Sequence, residues 1–548
     1  MIEHSIGGLP LFLIIAAFSL PLATFKIKSK AFYHVYATVV TGIALALSAI
    51  NLGLVMNRGT MIYFFGGWPP PLGIVYEVDS VGALFGVLVA SIMFLAVLYS
   101  IWYMKDFDGV EWYYVLMLGL AAGSIGCVYT GDAFNLFVMI EVLSIAAYAL
   151  VAFFRSKPEA LEAAIRYGLV GATATTMYFL ALVFLYGSFG TVNMADLALK
   201  VRPWLATSNP EVVHYFNQLS GSLFGNPVLG AAVAIALSLW AFTFKAALFP
   251  NHFWLPDANP EAPTPVSAIF AAVIDSIGIY AVLRFMYTIF GPDSILASNA
   301  FVNIRGAVMT ILFILGLASA LVGALLLAIQ KDVKKLLAYS AISHVGFIFM
   351  GLAVGTSAVS EGIRSLAVAA VLYHVISNSI GEALLFMTSG VFIMSAGSRN
   401  LDVLAGIGRK YPVALVGTVI GVLHLFGVPP LAGFFSKYAL FTAMLDAGNV
   451  VGAVALVAIT GVSLLGYVRF MYIIWLGKPK EVVELRIKKE PITAVIPVVL
   501  LTVSTIVLGV MAQSLLSWLI GVADSSFGTM GVTKYISTAL EALSMLQG

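Results

Sequence analysis

The sequence predicts an all-α protein that crosses a membrane about fourteen times. Of its 548 residues, 61% are hydrophobic and only 10% carry a formal charge, a composition that excludes an ordinary soluble globule. Apolar runs of about 20 residues, the length that spans a bilayer as a helix, follow one another along the chain. Since a helix closes its own backbone hydrogen bonds, we expect a helix in each run.

The apolar runs place the predicted spans. They lie near residues 7–25, 31–56, 80–103, 112–130, 133–154, 161–187, 227–250, 263–290, 304–329, 336–355, 363–395, 413–447, 449–476 and 492–520. The run 413–447 is interrupted at Pro429-Pro430. The chain starts with acidic Glu3 instead of a basic segment and lacks a small-residue cleavage site, so the first run is interpreted as a retained helix.

The basic residues test this assignment. If both termini are outside, most of the 28 Lys and Arg residues fall in inside segments and few in outside ones. Cytoplasmic loops carry the excess of basic residues in membrane proteins. A miscounted span would invert every later loop and remove the asymmetry. We therefore expect a multi-pass protein of the cell membrane with both termini outside.

Little of the chain lies outside the spans. Segment 188–226 is polar and could hold a short surface helix, segment 477–491 is typical of a solvated connector, and the tail 521–548 could lie on the membrane surface or on a neighbour. The net charge is +2 and no basic run with interleaved aromatics occurs, so no nucleic-acid partner is expected. Cys127 is the only cysteine, which excludes an intramolecular disulfide and a thiolate metal site.

The stretch from Leu239 to Tyr280 is the most informative. Lys245 lies in an apolar run, where a cation costs at least ~2.5–3.5 kcal/mol, so it is a functional candidate. Pro250 must break this helix, because proline removes a backbone donor and clashes with the preceding turn. A broken helix at membrane depth persists only if it packs in protein or lines a wet cavity. With Asp275 in the next apolar run, the pattern indicates an ion pathway.

A weak internal repeat indicates two related halves. In each half an RFMY motif, beginning at Arg284 or Arg469, follows a lysine-bearing, proline-broken helix. The two arginines lie near span ends and could snorkel to the surface. Lys437 is the counterpart of Lys245 and a second relay candidate. Paired interrupted helices indicate repeats with ion sites at their interface, and five spans per unit would make the two units inverted.

The predicted spans and the internal repeat divide the chain into four predicted parts. They are the N-terminal helices 1–3 (1–110), a first inverted repeat of helices 4–8 (111–290), a second of helices 9–13 (304–476), and a connector with helix 14 and the tail (477–548).

Further ionisable residues lie in the apolar runs. Glu141 is either a proton-relay partner of Lys245 or a member of a structural ion pair. His374, Asn378 and Glu382 recur at every fourth residue and so share one helix face, either as a polar stripe along a hydrated channel or as interhelical hydrogen-bond glue.

Two other groups lie nearer the predicted span ends. His344, with Ser340 and Ser343, is placed near a helix end and is open between a relay role and packing. The residues around Asp332, which include Lys334, are interpreted as a loop charge cluster.

Together these residues resemble the antiporter-like membrane subunits shared by respiratory complex I, Mrp-type sodium/proton antiporters and membrane-bound energy-converting hydrogenases. Within that group the sequence most resembles the D-type Mrp subunits and their hydrogenase relatives. The match covers essentially the whole chain. It rests on Glu141, on Lys245 with FPNHFWLPDANPEAPTPVSA, on KDVKKLLAYSAISHVGF at 331–347, on His374, and on GVPPLAGFFSK ending at Lys437. The resemblance implies discontinuous helices 7 and 12 and a relay formed by Glu141, Lys245, His374 and Lys437.

Three positions depart from that family. Asp275 and Glu382 stand where lysine is usual, and Asn259 stands where histidine is common. Carboxylates in place of cations reverse the field in the middle of the relay and open the alternative of sodium, which prefers hard oxygen ligands. Asp275 and Glu382, together with His344, are secondary relay candidates.

The expected function is a proton-translocating subunit, alternatively a sodium/proton-coupled one, of a multi-subunit membrane complex. No catalytic centre, cofactor or metal is expected in this chain. The resemblance implies other membrane subunits, and peripheral redox subunits if the complex is redox-driven, as partners. Two alternatives stay open: a non-conducting structural membrane subunit and a stand-alone secondary transporter.

Overall fold

The structure, a computed structural model, describes residues 4–202, 204–205, 226–297, 303–356, 358–478 and 485–544. In these ranges the chain is predominantly α-helical, and its two short strands, β1 (Met61–Phe64) and β2 (Val75–Val78), pair antiparallel. Within the described residues, thirteen helices are long and apolar enough to cross a membrane. The predicted all-α, polytopic class is confirmed.

The helices of the first part of the chain are α1 (His4–Thr24), α2 (Lys30–Arg58), α3 (Ser80–Tyr103), α4 (Val110–Tyr129), α5 (Ala133–Val151), α6 (Pro158–Phe189), α7 (Met194–Lys200) and α8 (Pro227–Lys245). Those that follow are α9 (Trp254–Glu261), α10 (Thr264–Ile289), α11 (Ile304–Ile329), α12 (Val333–Leu352), α13 (Glu361–Ala396), α14 (Pro412–Phe426), α15 (Ala432–Asp446), α16 (Val450–Leu476), α17 (Ile492–Val510), α18 (Ala512–Phe527) and α19 (Thr529–Ser544).

Two predicted spans are broken where their prolines lie. The run 227–250 is helical only to Lys245, and helix resumes at Trp254, beyond Pro250. The run 413–447 consists of α14 and α15, with Pro429-Pro430 between them. Proline cannot donate the backbone hydrogen bond that would continue the helix, which accounts for both breaks. The inverted-repeat relation and the four-part division stay predictions.

The last part of the chain differs from its prediction. The run 492–520 divides into α17 and α18 at Met511. The tail then bends by 50° after α18, and α19 packs on α7 and β1 of its own chain. The short helix predicted in 188–226 is α7, although it is buried; residues 206–225 lie outside the described residues, as do 479–484 of the predicted connector.

Three helices of the interior, α10, α12 and α13, concern the site. α10 is buried along its whole length, and α12 and α13 are mostly buried, as are α3 and α4, whereas α2, α11 and α17 expose one side. The helices approach closely through small residues: a Cβ on Gly346 of α12 would collide with the backbone of Gly316 and Ala320 on α11. Such contacts are the usual means of joining helices in lipid. The buried ionisable groups on these three helices include Asp275, Arg284, Lys334, His344, His374 and Glu382.

Candidate ion pathway

Lys245 is the last residue of α8 and is 1% exposed. Its Nζ atom donates a hydrogen bond to Ser144 Oγ at 2.5 Å and lies 5.5 Å and 5.7 Å from the ring centroids of Tyr148 and Tyr167. The helix ends at this position, and the partial negative charge of a helix C-terminus favours a cation. The break after α8 therefore stabilises a buried ammonium group.

Glu141 lies on α5, one helical turn before Ser144, and is partly buried. Its carboxylate acts electrostatically on Lys245. Among the described residues the two groups form no direct ion pair, because Lys245 donates to the Ser144 hydroxyl instead. The predicted partners are thus neighbours, with a hydroxyl group beside the ammonium that can both accept and donate a proton.

A continuous series of hydrogen bonds connects four helices in the second half. Ser436 Oγ lies 3.0 Å from His374 Nδ1, and His374 Nε2 lies 3.1 Å from His344 Nδ1. His344 Nε2 lies 3.1 Å from the Tyr467 hydroxyl, which is 2.6 Å from Ser340 Oγ. Ser340 in turn donates to Glu382 Oε1. We call this series the histidine chain; its members lie on α12, α13, α15 and α16.

The histidine chain brings together three of the predicted site residues, His344, His374 and Glu382. The structure places His344 well inside α12, so the prediction that it lies near a helix end is wrong. His374 and Glu382 both contact α12, as expected for residues on one face of α13. Tyr467 was not predicted from the sequence, because a tyrosine in an apolar span gives no signal of its own.

Lys437 lies at one end of the histidine chain, on α15, and is 6% exposed. Its Nζ atom donates to the carbonyl oxygens of Leu425 and Phe426 at 2.8 Å and 3.1 Å, and lies 5.3 Å from the Phe347 ring centroid. These carbonyls end α14, so the second broken helix also holds a lysine at a C-terminus. Lys437 acts electrostatically on both His344 and His374.

His424 is a further buried histidine of the same region that was not predicted. It lies on α14 with no exposed surface, and its Nε2 is 2.9 Å from the carbonyl oxygen of Ser377. The amide of Gly433 donates to its Nδ1 at 3.2 Å, across the break between α14 and α15. The ring therefore joins the two halves of the broken helix and α13.

Asp275 and Glu382 lie at the other end of the histidine chain. Asp275, on α10, is 1% exposed, and neither of its carboxylate oxygens has a hydrogen-bond partner in the described structure. Glu382 Oε2 is also unpartnered, and the two carboxylates interact electrostatically. Two buried like charges cannot both ionise at low cost, so this pair must take up a proton or another cation.

Two other sequence interpretations are corrected. Lys334 is not part of a loop: it is buried at the start of α12 and donates to Ala262 O at 2.7 Å. Arg284 does not snorkel: it is fully buried in α10 and pairs with Asp79, 205 residues away. Arg469 is half-buried and donates at 2.9 Å to a carbonyl oxygen of α11, that of Ala328.

The groups along this path have complementary chemistry. Hydroxyl and neutral imidazole groups can each donate and accept, so a series of them can pass a proton by exchanging donor and acceptor roles. Within the described ranges no group of three or more His, Cys, Asp or Glu residues has the arrangement of a metal site.

Fold and site together define a multi-pass membrane protein with a buried axis of ionisable side chains and two broken helices that each hold a lysine. The model of the NADH:quinone oxidoreductase/Mrp antiporter transmembrane family matches residues 130–463, which include every predicted relay residue. The chain belongs to this family, and the family resemblance inferred from the sequence is confirmed.

Relatives match over nearly the whole chain. The N subunit of the NADH-quinone oxidoreductase of Desulforudis audaxviator is 32% identical over 497 residues, 87% of this chain and 91% of that protein. The D subunit of the Na(+)/H(+) antiporter of Alkalihalophilus pseudofirmus is 30% identical over 516 residues, 93% of this chain and 95% of that protein. A chain of the membrane-bound sulfane sulfur reductase, an archaeal respiratory membrane complex, superimposes with a TM-score of 0.82 and 27% identity over 97% of this chain and 99% of that one.

Proposed function

We propose that this protein is a proton-translocating subunit of a multi-subunit membrane complex. The observation that carries the proposal is the histidine chain, since every member from Ser436 to Glu382 is buried and hydrogen-bonded to the next. A purely structural network has no need of consecutive groups that both donate and accept. A proton path requires them.

Buried lysines lie beside the path and influence the direction in which a proton moves. Lys437 repels a positive charge on His374 and His344. A protonated Lys437 therefore disfavours a proton on the two imidazoles, and deprotonation of Lys437 allows an imidazole to take up a proton. Asp275 and Glu382, at the far end, attract it. Lys245 with Ser144 and Glu141 forms the corresponding element of the first half. Charge changes at one element therefore bias the next.

The path favours protons over sodium as the ion it carries. Imidazole nitrogens and donating hydroxyls dominate the histidine chain, whereas a sodium ion prefers a shell of oxygen acceptors.

The proposed partners follow from the relatives. One is a subunit of an NADH-quinone oxidoreductase and another is a subunit of a Na(+)/H(+) antiporter. We accordingly propose that this chain assembles with other membrane subunits, and with peripheral redox subunits if its complex is redox-driven. We also propose that both of its termini are outside.

The test is ion movement in proteoliposomes that contain the intact complex. A pH-sensitive dye and a sodium indicator record wild type and Lys245→Ala together. We expect Lys245→Ala to abolish the proton signal while the complex still assembles. Glu159→Ala, a truncation at an exposed charge of α6, is the matched control and should transport normally. If Lys245→Ala and Glu141→Gln both leave transport intact in assembled complex, the chain is a non-conducting scaffold.

A further inference from the structure

A further buried acid, Glu77, lies outside the histidine chain, on the small β-hairpin. Glu77 of β2 is fully buried, and both of its carboxylate oxygens lack a hydrogen-bond partner in the described structure. A buried carboxylate without a partner is costly as an anion and must be neutralised. The question is which group neutralises it.

The nearest cation is already used. Arg284 donates to both oxygens of Asp79, at 2.7 Å from Nη1 and more closely from Nη2, and its Nε donates to the Tyr280 hydroxyl at 2.8 Å. Asp79 follows Glu77 by two residues, so both acids lie on the same side of the extended chain. Two carboxylates thus share one guanidinium, and that guanidinium is paired with Asp79. The cluster balances its charge only if Glu77 carries a proton.

The groups packed around Glu77 favour its protonated form. The groups that face it are Asp79 and Arg284, Tyr280 beside them on α10, Tyr535 of α19, and the turn at Gly131. A Cβ on Gly131 would lie 2.6 Å from Glu77 Cβ, so the turn closes directly on the acid. Burial raises the pKa of Glu77 well above its usual range; Arg284 and the hydroxyl of Tyr535 oppose that rise, and Asp79 adds to it.

The position of Glu77 connects it with the proposed path. The turn that covers it, 130–132, leads into α5, which carries Glu141 and Ser144. Arg284 lies on α10, the helix of Asp275. α19 also covers this site: its buried Tyr535 lies beside Glu77 and Arg284. An acid and a hydroxyl that face each other at the end of two path-bearing helices are suited to proton exchange.

We propose that Glu77 is a proton-binding residue of this subunit, which loads or releases the transported proton at the membrane face that carries the β-hairpin. The proposal rests on the proton-translocating function proposed above. It assigns the hairpin and α19 a role as the cover of that site. A merely structural acid would keep its proton permanently, whereas a proton-binding residue must lose and regain it in each cycle.

The test is Glu77→Gln in the intact complex, reconstituted as for Lys245→Ala. Glutamine has nearly the shape of the neutral acid but cannot release a proton. We expect assembly and thermal stability to be preserved and the transport rate to fall on the order of 100-fold. Glu159→Gln, at an exposed position, is the matched control. Wild-type transport in Glu77→Gln, together with loss in Lys245→Ala, overturns this inference alone; normal transport in both overturns the proposed function as well.

Glu77→Asp covers the case in which Glu77→Gln fails to assemble. Aspartate keeps a titratable carboxyl group but moves it within the cluster, so we expect transport to persist with a displaced pH profile. An unchanged pH profile in an assembled Glu77→Asp complex would show that this acid does not exchange its proton, and would overturn the inference.

Discussion

His344 and His374 meet ring to ring at the centre of the molecule, with centroids 5.2 Å apart, planes inclined by 29°, and Nδ1 of one 3.1 Å from Nε2 of the other. One of these nitrogens must donate and the other accept, so the tautomer of each ring depends on that of its neighbour. The tautomer of each ring also decides whether the neighbouring hydroxyl, that of Ser436 on one side and of Tyr467 on the other, donates or accepts. A proton arriving at either end can therefore reverse the whole series.

Tyr467→Phe should interrupt the histidine chain with little change in shape. The hydroxyl is the link between His344 and Ser340, and nothing else in the described structure joins these two groups. We expect proton transport by the intact complex to fall about 100-fold, the lower end of the effect of a lost proton donor. Tyr438→Phe, at an exposed tyrosine of α15, should transport like wild type. Equal rates in the two variants would argue against conduction through Tyr467.

Gly346→Ala should separate α11 from α12. The added methyl group would meet the backbone of Gly316 and Ala320, which cannot move as a side chain could. We expect a loss of about 1–3 kcal/mol in stability, measured as a lower melting temperature of the purified complex. Because His344 is two residues away, transport should fall too. Gly461→Ala on α16, where the methyl group meets nothing within 4 Å, should leave the melting temperature unchanged or slightly higher.

Arg284→Gln should be among the most destabilising single changes in the chain. It removes the ion-pair partner of a buried carboxylate, Asp79, and breaking one side of such a pair costs about 3–5 kcal/mol. The measurement is the amount of assembled complex in the membrane and its melting temperature. The double variant Asp79→Asn with Arg284→Gln should recover part of the loss. Arg469→Gln, which removes hydrogen bonds to backbone carbonyls only, should have a smaller effect.

The comparison of Arg284 with Lys245 indicates how far the sequence could predict this structure. Spans and helix breaks were predictable, because bilayer thickness sets the length of an apolar helix and proline ends it. Lys245 was predictable as a functional candidate from its apolar surroundings alone. The pairing of Arg284 with Asp79 was not, because it joins residues 205 positions apart and leaves no local pattern.

The histidine chain shows the same limit. The spacing of His374 and Glu382 predicts that they share a helix face, and both do contact α12. Their connection through Tyr467 depends on how α16 packs against α12, which hydrophobic patterning does not specify. The sequence places Lys334 in a loop for a related reason: its charge lowers the local hydropathy, although the side chain is buried against Ala262.

Asp275→Asn should raise stability and lower transport together. The change removes one of two buried carboxylates that repel each other, and relief of such a conflict commonly adds roughly 0.5–2 kcal/mol. It also removes an acceptor for the transported proton. The two readouts are the melting temperature of the complex and the initial rate of proton uptake. A variant that is less stable than wild type would mean that Asp275 is neutralised by a group not yet identified.

Lys245→Arg separates a charge role from a proton-exchange role at the first broken helix. Arginine keeps the positive charge but is not deprotonated in proteins, whereas lysine can give up its proton when desolvated. If Lys245 acts only as a fixed charge at the end of α8, the arginine variant should transport nearly as wild type and Lys245→Ala should not. If it exchanges a proton with Ser144 and Glu141, both variants should be inactive.

We expect the second result. The ammonium Nζ reaches a hydroxyl group at 2.5 Å and has aromatic rings on its other sides, so the proton that it donates to Ser144 has a direct acceptor. The initial rate of proton uptake in proteoliposomes is the measurement, with the content of assembled complex as the reference for each variant.

Lys437→Arg provides an independent copy of the test, because the larger guanidinium at position 245 could crowd Tyr148. Lys437 donates to the end of α14, and its arginine variant should likewise lose transport. Transport by both arginine variants at wild-type rates would reduce the two lysines to fixed charges and leave the histidine chain as the only part of the path that carries a proton.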